Sequence, residues 1–206
     1  VTQPTSAADP DHRSPLSRAA VVAAARNEIR AEGLDKLSFR RIAAVLGVTA
    51  PALYAHVQDK RDLLRAVADV EFAELLEAFE RIDDEDPLER LRALARVYVE
   101  RALAQPELFR TMFVFPPDIG LTAATGEELP MATQAFAYAA APIGAAVADG
   151  RLRDDDPALI TFVSWTAMHG LATVLTLGFE FDRSTRDLLI DRVLDAVFAG
   201  LAPPAA

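Results

Sequence analysis

The chain of 206 residues is 51% hydrophobic and 25% charged, with a formal net charge of −10, the profile of a globular protein somewhat rich in alanine. That acidity argues against a protein that coats nucleic acid indiscriminately, and the absence of cysteine excludes disulfides and thiol catalysis. No uncharged apolar run of about 18 residues opens the chain, so neither a signal peptide nor a membrane span is expected, and a cytoplasmic location fits.

Residues 1–15 carry Pro4, Pro10 and Pro15 among Ser, Thr, Asp and Ala, the composition of a disordered arm. His12 and Arg13 are read there as part of an idle tail, although some N-terminal arms enter a minor groove. Ser17 suits the N-cap of a helix to about Glu32, with Val22, Ala25 and Ile29 inward and Gly33 ending it. Ser38 suits a second N-cap. Behind it Phe39, Ile42, Ala43 and Leu46 fall at i, i+3, i+4 and i+7, one apolar face of a short helix. Gly47 follows where a left-handed stop costs glycine little. Thr49 is a further N-cap, Pro51 lies in the first turn where its missing N–H does no harm, and Leu53 and Val57 face inward. Two short helices joined by a tight glycine-containing turn, with small Ala43 at the crossing, describe a helix-turn-helix. Arg40, Arg41, Tyr54, His56 and Lys60 spread donors over one tip, and Ala50, Ala52 and Ala55 keep the second helix slim enough for a groove about 12 Å wide. The plainer alternative is a small three-helix packing unit with a solvated basic face.

Leu37 to Ala43, then Leu46-Gly47-Val48, then Ala52 to Lys60 resemble the DNA-binding domain of TetR-family transcriptional regulators. The likeness runs back through Ala31 to Leu34 and Ala24-Ala25 to Ser17, and on to Leu63-Leu64, about 50 residues in register. The resemblance implies that Ser38, Tyr54, His56 and Lys60 hold the phosphate backbone. It implies that Arg40 reads guanine O6 and N7, and that Thr49, Ala50, Pro51 and Ala52 lie with Ala55 against the groove floor. Ala50 and Ala55 depart from family members with larger polar or aromatic residues there, so direct readout is expected to be thin, leaning on thymine methyls and DNA shape. Charge is distributed to match. Residues 1–62 hold nine Lys and Arg against seven Asp and Glu, a net +2, which leaves −12 for the rest. A mildly positive head on an acidic body orients the molecule head-first on DNA.

A long fourth helix is expected from residue 60 to about 82, on the order of 30 Å, with Leu63, Leu64, Val67, Val70, Leu75 and Phe79 as its apolar set. Asp83-Asp84-Glu85-Asp86 reads as a solvated linker and N-cap before Pro87 rather than a metal site. Further helices follow over 87–104, 106–113 and 131–149, the last with Pro142 placed to bend it. Asp156-Pro157 opens another to about Leu177, and Ser184 or Thr185 opens the final one, ending near Gly200. Pro116-Pro117 and Gly120 to Gly126 are loop-like. No strand alternation or repeat appears. The expected fold class is all-α, about nine helices, divided into an arm (1–15), a helix-turn-helix domain (16–62) and a regulatory and dimerisation domain (63–202).

Within the body, Trp165 to Leu171 resembles a Trp-x-x-x-His-Gly feature of one C-terminal class of the TetR family. Trp165 and His169 stand at i and i+4 on one helix face. A lone imidazole on an apolar face is more often a satisfied core group; as a ligand contact it would give an apolar pocket one polar partner. Phe109, Met112, Phe113 and Phe136, with Tyr138, are the other candidates for a ligand-binding wall, core packing being the default for each. Phe162, Gly170, Leu171 and Val174, with Leu189, Val193 and Val197 on the final helix, recur at helical spacing. Two such helices per subunit suit a four-helix interface about a two-fold axis. The alternative is that they close the monomer's core, and the resemblance implies dimers.

The expectation is a ligand-responsive TetR-type regulator, a repressor that binds a palindromic double-stranded operator as a homodimer and is released by a small apolar or aromatic effector. No cofactor, metal or membrane partner is expected. No Ser/His/Asp arrangement, Gly-rich phosphate loop or close His pair is present, which argues against an enzyme. A DNA-binding adaptor whose body holds a protein is the remaining alternative.

Overall fold

Acidic side chains set the start of four helices. In the computed structural model, which describes residues 16–115 and 129–203, Asp59 Oδ1 accepts from the Asp62 N–H (2.7 Å) and opens α4 (Lys60–Glu80). Asp86 accepts from Leu88 and Glu89 to open α5 (Pro87–Ala104). Asp156 opens α8 (Pro157–Leu175), and Asp182 opens α9 (Arg183–Gly200). Each carboxylate satisfies first-turn N–H groups and faces the positive end of the helix dipole. The N-terminal arm and the loop over 116–128 lie outside the described residues.

Ser17 Oγ accepts from Ala20 N–H (3.2 Å) and opens α1 (Arg18–Glu32). A 3₁₀ turn (Leu34–Lys36) leads to α2 (Phe39–Leu46) and α3 (Ala50–Leu53). The body adds α6 (Pro106–Met112) and α7 (Pro130–Ala148). Among the described residues the fold is therefore all-α, with nine α-helices, an N-terminal helix-turn-helix domain and a C-terminal helical domain. In the head α2 packs on α1 and α3, and α4 runs from there into the body against α6 and α7. α5 packs on α7 and α8, and α9 lies on α8 and α5.

Several local expectations need correction. Ser38 and Thr49 occupy the N-cap positions of α2 and α3, but neither hydroxyl makes a cap hydrogen bond. α3 is regular for only four residues, after which tighter i→i+3 bonds carry the chain through Tyr54, Ala55 and His56 to Val57. The final helix begins at Arg183 rather than Ser184 or Thr185, because the Asp182 carboxylate takes both the Thr185 N–H and the Ser184 hydroxyl. α8 stops at Leu175, two residues early, and Gly178 turns the chain with φ +96°. α7 continues through Pro142. Both α7 and α8 are long and apolar enough to cross a membrane by length and hydropathy alone; here they pack as body helices against α4, α5 and each other.

The junction of head and body is electrostatic. Glu71 of α4 is buried, and its carboxylate accepts from Arg26 Nε of α1 (2.6 Å) and from Arg101 of α5 (2.5 Å). Glu74, one turn along, accepts from the same two arginines at 2.6 and 2.8 Å. Burial pushes the Glu74 carboxyl up, but hydrogen bonds from Arg101 and Arg26 outweigh it and hold the group below its ordinary range. A buried carboxylate is tolerable only with partners of this geometry. Glu71→Ala removes the centre of the cluster and faces two arginines with one carboxylate; we expect a loss of about 3 kcal/mol in urea unfolding.

Candidate nucleic-acid interface and internal cavity

The tip of the head is built by α2, its turn and α3. Gly47 ends α2 in the left-handed conformation (φ 68°, ψ 30°), and its N–H bonds back into the last turn. Leu53, Val57, Ile42 and Ala43 are buried beneath the tip. Above them Arg40, Thr49, Pro51 and Lys60 are exposed, while Ser38, Ala50, Ala52 and His56 are half-buried. Tyr54 is 58% exposed, and its ring leans on Phe39 with centroids 5.1 Å apart, so the hydroxyl is carried outward on a supported ring. Arg40 has no hydrogen-bond or ion-pair partner among the described residues. Lys60 Nζ donates to the Leu37 carbonyl (3.3 Å), which seats the ammonium beside the start of α2.

Arg41 does not belong to this tip. It points back to α1, with Nε 3.0 Å from Glu28 and a second nitrogen 3.3 Å from Glu32. One residue along a helix is a rotation of about 100°, enough to turn Arg40 to solvent and Arg41 toward α1.

Arg18 was given no role by the sequence. It donates to both Asp62 carboxylate oxygens (2.9 and 2.7 Å) and to the His56 carbonyl (2.8 Å). Asp62 also accepts from the Gln58 N–H (2.8 Å). This clamp ties the turn after α3 to the first turns of α1 and α4. The legible signal was a cation at the first position of α1, against the helix dipole, which calls for an acidic neighbour. The Arg18 hydrogen bond is the main reason the Asp62 carboxyl titrates at about 2.

In the body, an apolar cavity of about 100 Å³ lies among α4, α5, α7, α8 and α9. Phe113, Phe136 and Trp165 stand on its wall, joined by Phe72, Leu75 and Phe79 from α4. Phe109, Met112 and His169, expected there too, are not wall residues. Met112 is fully buried, and Phe109 is buried against Tyr98 and His169, with ring centroids 5.2 and 5.7 Å away. Tyr138 lies off the wall as well, its hydroxyl taken by Arg90 (2.5 Å).

The polar centre of the cavity wall is Tyr98, on α5. Its hydroxyl oxygen accepts from Trp165 Nε1–H (3.1 Å) and stands 2.7 Å from His169 Nδ1. Burial pushes the Tyr98 hydroxyl pKa up and the His169 pKa down, so both are neutral. With the imidazole in its Nε2–H tautomer, the Tyr98 hydroxyl accepts from Trp165 and donates to His169 Nδ1. A tyrosine inside an apolar stripe was the signal, since a buried hydroxyl needs a partner.

Of the residues expected to pair subunits, Gly170 and Val174 are exposed, and Phe162 and Leu171 are half-buried. Leu189, Val193 and Val197 are partly buried against the monomer's own core. Leu159, Val163 and Leu188 are exposed large apolar residues on the same two helices that the sequence did not single out.

Two family models match the chain: one for bacterial regulatory proteins of the tetR family over residues 21–67, the other for the tetracyclin repressor-like C-terminal domain over residues 91–197. An uncharacterized HTH-type transcriptional regulator of Mycobacterium tuberculosis is 27% identical over 185 residues, 87% of this chain and 79% of the relative. A protein of unknown function from Rhodococcus sp. RHA1 superposes with TM-score 0.74 at 28% identity, covering 94% of this chain and all of that one. The resorcinol complex of RolR shares the fold, with TM-score 0.67 at 19% identity, covering 91% of this chain and 88% of that one.

Because the Asp62 pKa is depressed, its pairing with Arg18 contributes fully to stability above the ordinary carboxyl value of 3.8 and is lost as pH falls toward 2. NMR titration should place the Asp62 carboxyl near 2 in the wild type and return it toward 3.8 in Arg18→Ala.

Proposed function

The chain belongs to the TetR family of DNA-binding transcriptional regulators, and from that premise we propose that it is a ligand-responsive repressor. In this reading a homodimer binds a palindromic operator in the cytoplasm and is released when a small molecule enters the α4–α5–α7–α8 cavity. The observation that carries the reading is the course of α4. Its first residue, Lys60, stands at the exposed tip, and Phe72, Leu75 and Phe79 farther along it line the cavity. Whatever fills the cavity bears directly on the helix that carries the head. A small molecule in a cavity suits this better than the adaptor reading, which calls for a filled core.

The head comprises residues 16–62 and the regulatory and dimerisation body residues 63–202. At the tip, Ser38, Tyr54, His56 and Lys60 hold phosphates, with the uncapped Ser38 and Thr49 hydroxyls still able to donate. Arg40, exposed and unpaired, reads a guanine edge, and Thr49, Ala50, Pro51 and Ala52 approach the groove floor. On the wall, Phe113, Phe136 and Trp165 touch the effector, and His169 acts through Tyr98. RolR, which shares this fold, is known with resorcinol bound, a precedent for a small aromatic guest. To move the molecule from 1:99 to 99:1 in favour of the released form, the effector must prefer that form by about 5.5 kcal/mol.

Subunit pairing is supported by α8. The helix carries no charged residue from Pro157 to Leu175, yet only 33% of its apolar window is buried inside one chain. Val163 and Val174 lie on its uncovered side with Gly170 and Leu159. Covering this face with the same face of a second copy removes the apolar surface from water and closes a two-fold interface. Phe162, Leu171, Leu189, Val193 and Val197 complete it from their half-buried positions.

The reading is tested by operator shift assays on selected duplexes. Arg40→Ala should lose discrimination at one base position by about 1–3 kcal/mol while still binding DNA, as read by binding-site selection; an unchanged preference removes the base-reading assignment. Val163→Glu with Val174→Glu, both at exposed sites, should give a folded monomer in sedimentation velocity that no longer shifts a palindromic duplex.

A further inference from the structure

The wall of the cavity is selective in what it lacks. It includes no Asp, Glu, Lys, Arg or His side chain, and its hydrogen-bonding side chains are Tyr98, Thr161, Ser164 and Trp165. Every donor among these is already engaged. Thr161 donates to the Pro157 carbonyl (2.6 Å) and Ser164 to the Ile160 carbonyl (2.9 Å), each one turn back along α8. Trp165 Nε1–H donates to Tyr98, whose hydroxyl lies 2.7 Å from His169 Nδ1; with the imidazole in its Nε2–H tautomer the phenol proton is engaged there as well. Only hydroxyl lone pairs remain, so a guest bearing a carboxylate or carbonyl meets no donor on the wall. The rest is alkyl and aromatic surface.

Water is held only weakly by the same accounting, since hydroxyl lone pairs can accept from it but no donor is left to pair its oxygen. At about 100 Å³ the space far exceeds the ~10–15 Å³ that one water needs, but a buried water also needs two to four polar partners. An apolar cavity of about 150 Å³ in another protein stays dry and takes up benzene, which sets the scale for a guest here.

We propose that the cavity selects an uncharged, single-ring hydrocarbon without hydrogen-bond acceptors, such as an alkylbenzene. This rests on the reading of the cavity as the effector site and narrows it. Size admits one ring, and the rings of Phe72, Phe113, Phe136 and Trp165 offer it tilted and edge contacts. The engaged donors reject relatives of the same size that carry a carbonyl or carboxylate, since an acceptor buried without a partner forfeits its hydration.

Three probes of nearly equal size separate the possibilities: toluene, benzaldehyde and benzoate. Isothermal titration calorimetry on the full chain measures affinity without DNA. Emission from Trp165, the chain's single tryptophan, reports whether toluene has reached the wall. Toluene should bind and shift the emission, benzaldehyde should bind roughly tenfold more weakly, and benzoate at least a hundredfold more weakly. Ala135→Phe, which fills the cavity from α7, should abolish the toluene signal while circular dichroism and the melting transition show a folded chain. If that variant fails to fold, the ranking of the three probes on the wild type decides alone. Benzaldehyde or benzoate binding as tightly as toluene, or no toluene binding at all, overturns the proposal. Toluene that binds with the stated ranking but leaves operator affinity unchanged upholds the ligand class and removes the effector reading instead.

Discussion

Two carboxylates of α4, held between an arginine of α1 and an arginine of α5, decide how the molecule is put together. Glu71 is buried, so its charge is tolerable only while Arg26 and Arg101 stay where they are. Because Arg26 also reaches Glu74, the head is fixed in rotation about α4 as well as in distance from it. A second set of bonds reinforces this from α6: Glu107 accepts from the Leu34 N–H (2.9 Å), Arg110 pairs with Asp35 (2.8 Å), and Gln105 accepts from Arg30 (2.9 Å). These bonds tie the head to α4 and α6 at several separate points.

The head was legible in the sequence because its determinants are local. The Gly47 stop, the apolar i, i+3, i+4, i+7 row and the placement of Pro51 each act within one turn of chain, and together they left little freedom. The charged junction was not legible. Glu71 and Glu74 look on a helical wheel like an ordinary solvated pair; that Arg26 and Arg101 converge on them is decided by how three helices cross. The cavity failed for a related reason. Phe109 and Phe113 are one turn apart on neighbouring faces, and a modest rotation of the segment decides which forms the wall and which backs it. Leu75 and Phe79 were assigned correctly as inward-facing, but sequence has no term that separates a filled interior from one with a gap.

α8 joins the two halves of the proposed mechanism. Thr161, Ser164, Trp165 and Met168 line the cavity, while Val163, Gly170 and Val174 lie uncovered on the opposite side. One apolar helix thus has one face on the cavity and another uncovered, and its spacing of 3.6 residues per turn keeps the two apart. The segment lacks charge over its whole length, where an ordinary surface helix would carry a polar stripe, as the proposed double role requires.

The placement of Lys60 has a practical corollary. With Lys36, in the 3₁₀ turn that follows α1, it supplies the only side-chain amines in the chain, and both belong to the N-terminal domain. Reagents that attach dyes, biotin or sensor matrices through primary amines on side chains will grip the molecule on that domain and, at Lys60, on the tip proposed to meet DNA. Immobilising the duplex rather than the protein, or tethering through a cysteine introduced on the exposed side of α9, leaves that surface open.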